Sequence, residues 1–178
     1  PRIVENVKEV FIMGGAIRHQ GNTTPLAEYN IYVDPHAAHI VFHSGIPITL
    51  IPLDVTHKCL LEQIHIDRLL RIDSPITRFI RSAVETCFAH SESYGGKGCA
   101  LHDPLTLATV IAPELLTLKE LRVDVDHSGG VSMGKTFGDF LGKTGKPANM
   151  RVALQARGDD FVELFLQRME TLAKTISV

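Results

Sequence analysis

The sequence has no tryptophan, only three cysteines, and no excess of charge of either sign. Its 18 Lys and Arg face 20 Asp and Glu, a net charge of −2, so no overall positive field draws a nucleic acid. Cys59, Cys87 and Cys99 are odd in number and form no CxxC pair. That usage argues against a secreted disulfide scaffold and points to thiols in a reducing, cytoplasmic compartment. No apolar run approaches the roughly 18 residues of a membrane span, and the opening PRIVENVKEV lacks the apolar core of a signal peptide. Internal repeats, low-complexity tracts and Pro/Gly/Ser linkers are also missing. The expectation is one α/β unit over residues 1–178, with neither a membrane nor a nucleic acid as partner. At 178 residues and 44 % hydrophobic, the chain is long enough to bury a core without covalent staples.

What is present alternates between short apolar runs and capped helical stretches. Val7–Met13 reads as a buried strand that stops at Gly14-Gly15. The polar, irregular stretch from there to about Ile31 is long for a loop in a compact domain, and such loops tend to be functional. Asp34-Pro35 opens a helix, with Asp as N-cap, Pro at the first position and Gly45 just past the end. Ile48–Leu53 is a second apolar strand, and the order strand, helix, strand predicts a right-handed parallel βαβ unit. Leu61–Ile72 has helical periodicity. Ser74-Pro75 starts another helix, to about Ser91, with Ile76, Phe79, Ile80, Ala83, Val84 and Cys87 along one stripe. Asp103-Pro104 caps a short apolar helix that ends before Pro113. Leu121–Asp126 and Arg151–Gln155 alternate as half-exposed strands, and Asp159 or Asp160 begins a final amphipathic helix. The class expected is α/β, with a mostly parallel, mixed sheet flanked by helices.

Several motifs carry a chemical reading beside a plainer one. Gly129–Thr136 matches the phosphate-loop pattern G-x-x-x-x-G-K-[ST], but the segment after it, rich in Gly with Pro147 beyond, is a poor helix. A turn between two strands is the preferred reading over a nucleotide binder. Cys87-x2-His90 and Cys99-x2-His102 could together hold a tetrahedral zinc, although Cys87 on an apolar stripe is more simply a packed thiol. His39 and His43, spaced i, i+4 on a helix, could chelate a metal, but no Glu sits at the position a zincin needs, and a solvated helix face is the preferred reading. Two polar clusters remain. Gly21-Asn22 with Glu28, Tyr29 and Asn30 lies in the long loop, at the carboxyl edge of a parallel sheet where ligands bind, and suits a polyol such as a sugar. Turn and cap chemistry explains the same residues equally well. His102-Asp103-Pro104 is either a helix start or a carboxylate ligand for a hard cation beside a proton-moving histidine. Asp54 ends the second strand at the same edge, with no partner evident in the sequence.

MGGA at Met13–Ala16, GN-x2-P-x-AEYN at Gly21–Asn30, DPHAA at Asp34–Ala38, LDVT at Leu53–Thr56, HDP at His102–Pro104 and PANM at Pro147–Met150 follow one another with fitting gaps. This succession resembles the nucleoside hydrolases, the inosine–uridine-preferring ribohydrolases, over essentially the whole chain. The resemblance implies cleavage of the N-glycosidic bond of ribonucleosides, through a ribose of oxocarbenium character, with a bound Ca²⁺ that gathers the ribose diol and activates water. It implies Asp103 as a Ca²⁺ ligand, and Asn22, Glu28 and Asn30 as ribose-binding residues with Met13 lining the sugar pocket. His102, the catalytic candidate beside Asp103, would sit by the leaving base as an acid. His90 and Tyr94 would meet the base, as the polar residue and tyrosine of pyrimidine-accepting members do.

The family's acidic motif, D-x-D-x-x-x-D-D after its first strand, has no counterpart in the 178 residues. The resemblance therefore runs to the carboxyl-terminal half of such an enzyme. It implies an incomplete Ca²⁺ site in this chain alone and an open first strand, to be met by the missing amino-terminal half or another chain. A homo-oligomer is the further expectation for the complete enzyme. The alternative is an inactive relative that keeps the ribose-binding loop.

Overall fold

The computed structural model describes residues 2–93 and 95–176. A short helix, α1 (Ile3–Asn6), leads into strand β1 (Val10–Met13). Helices α2 (Tyr29–Val33) and α3 (Pro35–Phe42) follow, then β2 (Ile48–Ile51), α4 (Leu53–Thr56), β3 (Leu60–Leu61), α5 (Gln63–Leu69) and α6 (Pro75–Ser93). After β4 (Cys99–Ala100) come α7 (His102–Ile111), β5 (Leu116–Val125), β6 (Thr136–Asp139), β7 (Met150–Ala156) and α8 (Gly158–Ile176).

Five strands form a mixed sheet in the order β1-β2-β7-β5-β6, and β3 and β4 form a separate two-stranded ladder. The β1–β2 and β2–β7 pairs are parallel, as the strand–helix–strand pattern requires. The β7–β5 and β5–β6 pairs are antiparallel, so the sheet changes character at β7. Both faces are covered. Leu50 and Val152 enter one apolar cluster with Ile31 and Phe42 of α2 and α3. Their neighbours Ile51 and Ala153 enter the other, with Leu105 of α7 and Phe161 and Leu166 of α8. Successive strand residues point to opposite faces, which is why apolar runs rather than alternating ones build β2.

Local chemistry sets several of these boundaries. The Asp34 carboxylate accepts from the Ala37 amide at 2.8 Å, with Pro35 at the first position of α3. Ser74 and Thr77 bond reciprocally at the start of α6, each backbone amide donating to the other's hydroxyl at 3.2 Å. Several expectations need correction. The first strand is shorter than Val7–Met13, because Ile3–Asn6 is helical and pairing with β2 begins only at Val10 opposite Ile48. The second strand ends at Ile51, short of Leu53, because the chain turns at Pro52 into helix α4, which contains Asp54. Leu61 belongs to a strand rather than a helix, because Leu60 and Leu61 pair with Ala100 and Cys99. Asp103 is not an N-cap: α7 starts at His102, behind Leu101, and no side chain caps it.

Asn149, immediately before β7, ties three segments together. Its carbonyl oxygen accepts from the Val123 amide at 2.8 Å, and its amide donates to Phe42 and Val123 carbonyls, both at 2.9 Å. Asn149→Ala should therefore cost about 2 kcal/mol by leaving partly buried peptide groups unpaired. Urea unfolding midpoints of the two proteins measure it.

Candidate active site

The site begins with the chain that leaves β1. Four consecutive amides there find side-chain acceptors drawn from three distant segments. Gly15 N–H donates to Glu28 Oε2 at 2.9 Å, and Ala16 N–H to Thr136 Oγ1 at 2.9 Å. Ile17 and Arg18 donate to the two Asp54 oxygens at 2.9 and 2.8 Å. Lys135 Nζ adds bonds to the carbonyls of Ala16, at 2.6 Å, and Ile17, at 3.3 Å. Gly15 takes φ of +80°, and a Cβ there would lie 3.0 Å from the Thr136 hydroxyl, so both conformation and space require glycine. Lys135 and Thr136 are the last two letters of the phosphate-loop pattern. The preceding residues turn between antiparallel β5 and β6, with no helix leading out, so the pattern serves this clamp.

Glu28 is 2 % exposed. Besides the Gly15 amide, it accepts from Asn30 N–H at 2.9 Å and Ile31 N–H at 3.2 Å, as the N-cap of α2. Asn22 Oδ1 accepts from Tyr29 N–H at 2.9 Å, so the first three amides of this helix are satisfied by two of the motif residues. Asn30 Nδ2 donates to the Met13 carbonyl at 3.2 Å and contacts its sulfur at 3.3 Å. Gly21 lets this loop close on itself: a Cβ would come within 2.2 Å of the Ala27 and Thr24 carbonyls. Cap and turn chemistry thus uses part of each polar side chain. The Asn22 amide nitrogen and the Asn30 carbonyl oxygen have no hydrogen-bond partner among the described residues.

A cavity of about 640 Å³ opens beside this loop, within the size of small-ligand sites. Asn22, His90 and His102 line it, together with His57, Cys87 and the Gly96–Gly98 stretch. His102 shares a 2.8 Å hydrogen bond between Nδ1 and the hydroxyl of Thr56, which is fully buried. With the hydroxyl donating, the ring proton sits on Nε2, the nitrogen left for a ligand. Burial lowers the His102 pKa, against the raising influence of the Asp103 and Glu28 charges. His57 packs 5.4 Å from His102 and 4.6 Å from His19, centroid to centroid. Burial first, then these two imidazoles, bring its pKa down to about 4.

The structure thus joins Asn22, His90 and His102 around one cavity. It links Met13, Glu28 and Asn30 by hydrogen bonds at the end of β1, and the Glu28 charge reaches His102. Asp103 is exposed in the first turn of α7, next in the chain to His102. Tyr94 lies outside the described residues. Two other clefts, of about 370 and 770 Å³, run along α5, α6 and α8 and hold none of the motif residues. In the larger one, Arg68 bridges Glu163 and Glu170, a helix-joining ion pair rather than a ligand site.

Sequence reasoning left Asp54 without a partner and overlooked Thr56, His57 and Thr136, although LDVT and GKT contain or adjoin them. Their partners lie tens of residues away. The cysteine reading is corrected: Cys87 and Cys99 form a disulfide, with Cα atoms 5.4 Å apart, and only Cys59 is a free thiol. Sulfurs bonded to each other cannot ligate zinc as thiolates, which removes the zinc set. Nor do His39 and His43 form a chelate, because His43 bonds Asp124 through Nε2 at 2.8 Å and the His39 carbonyl through Nδ1 at 2.7 Å. Among the described residues, no three His, Cys, Asp or Glu side chains are grouped to hold a metal ion. No helix is long and apolar enough to cross a membrane among those residues.

The His57 shift has a pH consequence. The folded state keeps this ring neutral down to about 4, whereas the unfolded chain takes a proton from about pH 6.5, its ordinary value. Between those limits the unfolded state binds more protons, so stability falls as pH drops from 6.5 toward 4. His57→Gln should flatten that part of a plot of thermal midpoint against pH, while an unchanged slope would assign the effect to other groups.

Comparison with known proteins extends the match beyond motifs. The profile of the inosine-uridine preferring nucleoside hydrolase family matches residues 1–163. The pyrimidine-specific ribonucleoside hydrolase RihA of Salmonella typhi is 38 % identical over 175 residues, covering 97 % of this chain and 56 % of the relative. A purine-preferring ribonucleoside hydrolase from Gardnerella vaginalis superimposes with a TM-score of 0.89 at 32 % identity, over 98 % of this chain and 56 % of that one. A plant nucleoside hydrolase gives 0.87 at 29 % identity, over 96 % and 56 %. The chain thus spans a little over half the length of the relatives it matches. Motif order, sheet topology and a match across nearly every residue converge, and the chain belongs to the inosine-uridine preferring nucleoside hydrolase family.

Proposed function

We propose that this chain supplies the ribose- and base-facing part of an enzyme that hydrolyses the N-glycosidic bond of ribonucleosides, giving ribose and free base. The observation that carries the reading is the cavity lined by Asn22, His90 and His102. Met13, Glu28 and Asn30, which do not line it, are tied to it through the Tyr29 amide that donates to Asn22 at the start of α2. In this reading the Asn22 amide and the Asn30 carbonyl bind ribose hydroxyls while Met13 packs on the sugar. Glu28, with three amides on its carboxylate, mainly holds the loop and keeps one lone-pair direction for a hydroxyl. Burial lowers the His102 pKa against the Asp103 and Glu28 charges. With the Thr56 hydroxyl donating to Nδ1, the ring offers Nε2–H as a hydrogen bond to the departing base. His90 and Tyr94 complete the base side. Relatives named for pyrimidine and for purine preference support ribonucleosides as a class, with no single base assigned.

Calcium is the cation this reading expects, with Asp103 as its ligand. Ca²⁺ takes about 6–8 oxygens, and one exposed carboxylate does not meet that demand. This chain's own residues therefore do not fit a complete calcium site. The acidic motif D-x-D-x-x-x-D-D would come from another segment, of the same polypeptide or of a partner. The free edge of β1, paired on one side only among the described strands, is where such a segment would add. In this scheme residues 1–178 act as one α/β unit, and the completed enzyme is a homo-oligomer. A cytoplasmic setting for nucleoside salvage rests on the cysteine count, and the Cys87–Cys99 bridge weighs against it.

A second reading, a ribose-binding chain without turnover, is favoured by the single metal-type carboxylate. One assay separates the two. Reducing-sugar release from uridine and inosine with Ca²⁺ should be absent for the chain alone and should appear when a segment bearing the acidic motif is added. Asp103→Ala should then lower turnover at least about 100-fold, given what loss of a metal-site group costs. Full rates in that variant would remove Asp103 from the reaction, and no release in any combination would favour the binding-only reading.

A further inference from the structure

We propose that the Cys87–Cys99 disulfide is a thiol-controlled clip on the candidate cavity, holding in place the wall that carries His90. The inference concerns regulation of the site just described and rests on that reading for its ligand.

The bridge joins α6, where Val84, Cys87 and Phe88 still pack on the core, to the short strand β4. Cys87 lies two-thirds along α6, whose buried residues, Thr77 and Ile80, both belong to the half before it. Beyond Cys87 the helix carries Ala89, His90, Glu92 and Ser93 on exposed positions. Cys99 opens β4, a two-residue strand paired, among the described residues, with β3 alone. The 11 residues between the cysteines include Gly95, Gly96 and Gly98, the residues least able to hold a loop by themselves. His90, Ser91, Gly96, Lys97 and Gly98 all face the cavity. One side of the cavity is therefore a glycine-rich segment bridged at its base by the S–S bond, with a tight turn inside it in which the Gly95 and Gly96 amides donate to the Glu92 and Ser91 carbonyls, both at 2.9 Å.

The bond is also reachable. Cys87 is half-buried and lines the cavity, whereas Cys99 is 7 % exposed. A small dithiol entering the cavity meets the Cys87 sulfur. Its thiolate attacks that sulfur, the S–S bond breaks, and Cys99 leaves as a thiolate that takes up a proton. The second thiol of the reductant then displaces Cys87 from the mixed disulfide. The balance is two electrons and two protons to the protein, and one disulfide formed in the reductant. Cys59 does not compete, since its sulfur is fully buried, donates toward the Val55 carbonyl at 3.7 Å, and has a thiol pKa raised to about 11 by burial. Occupancy of the cavity covers Cys87, so a bound ligand and the closed bridge protect one another, as linkage demands.

The test uses the unaltered chain, fully oxidised or reduced by dithiothreitol, with the redox state fixed by intact mass. Trypsin cleavage after Lys97, in the glycine-rich wall, should quicken at least roughly tenfold on reduction, as expected when a cross-link stops restraining its loop. The double variant Cys87→Ser/Cys99→Ser should cleave at the reduced rate in both buffers, with a far-ultraviolet spectrum confirming its fold. Equal cleavage rates for oxidised and reduced chain would overturn the clip. Uridine titrated into both forms should bind the oxidised chain at least about tenfold more tightly. Uridine bound equally by both would likewise overturn the clip. Uridine bound by neither would count against the nucleoside reading alone, leaving the Lys97 rates to decide the clip.

Discussion

Four successive peptide N–H groups, those of Gly15 to Arg18, are each accepted by a side chain, and the rest of the site depends on that arrangement. A chain leaving the end of a parallel strand has no ladder partner ahead of it, and its amides must be satisfied or hydrated. Here Glu28, Thr136 and Asp54 accept them, and Lys135 binds the carbonyls that alternate with them. The acceptors come from the start of α2, from α4 and from β6, so one short turn locks together segments up to 120 residues apart. Glu28 is the member shared between this clamp and the start of α2. The position of Asn30 against Met13 follows from it.

The sheet explains why the candidate site lies where it does. Its parallel half, β1, β2 and β7, sends the chain ends of β1 and β2 to a common edge, where the loop after β1 carries Asn22 and helix α4 carries Asp54 and Thr56. Its antiparallel half, β7, β5 and β6, returns Lys135 and Thr136 to the same edge through a hairpin. Helix α7 brings His102 to that edge, where the Thr56 hydroxyl fixes its orientation. The cavity is thus framed by rigid elements on one side and by the glycine-rich segment before β4 on the other. Family membership is carried by nearly the whole chain, while the chain itself corresponds to a little over half of each relative.

Features that depend on neighbours in sequence were legible. Asp34 and Pro35 announce α3, Ser74 and Pro75 announce α6, and the apolar β2 run is a buried strand, because caps and short-range periodicity suffice to specify them. The motif residues Met13, Asn22, Glu28, Asn30 and His102 stand out as a group through the family resemblance; the structure places Asn22 and His102 on one cavity and bonds Asn30 to Met13 and Glu28. Their partners were not legible. Nothing local shows that Asp54 accepts from Ile17 and Arg18, or that Thr136 holds Ala16, since those bonds exist only once the sheet has formed. The GKT letters match a phosphate-loop pattern, and the preferred reading of a turn between two strands holds. What the sequence does not show is that Lys135 and Thr136 grip the chain leaving β1. Among three cysteines, no spacing rule distinguishes a bonded pair from packed thiols, and Leu61 was drawn into a helix by its periodicity when pairing with Cys99 decided otherwise.

The central claim is that Asn22 of the loop after β1, Asn30 of α2 and the histidine at the start of α7 meet one ribonucleoside. The most direct measurement is a uridine titration of the ¹⁵N-labelled chain followed by heteronuclear NMR. The account predicts that the shifts concentrate in the Asn22 and Asn30 side-chain amides and in the backbone amides of Tyr29 and His102. Shifts confined to the cleft around Arg68 and Glu163, or no shifts at all at saturating uridine, would contradict it.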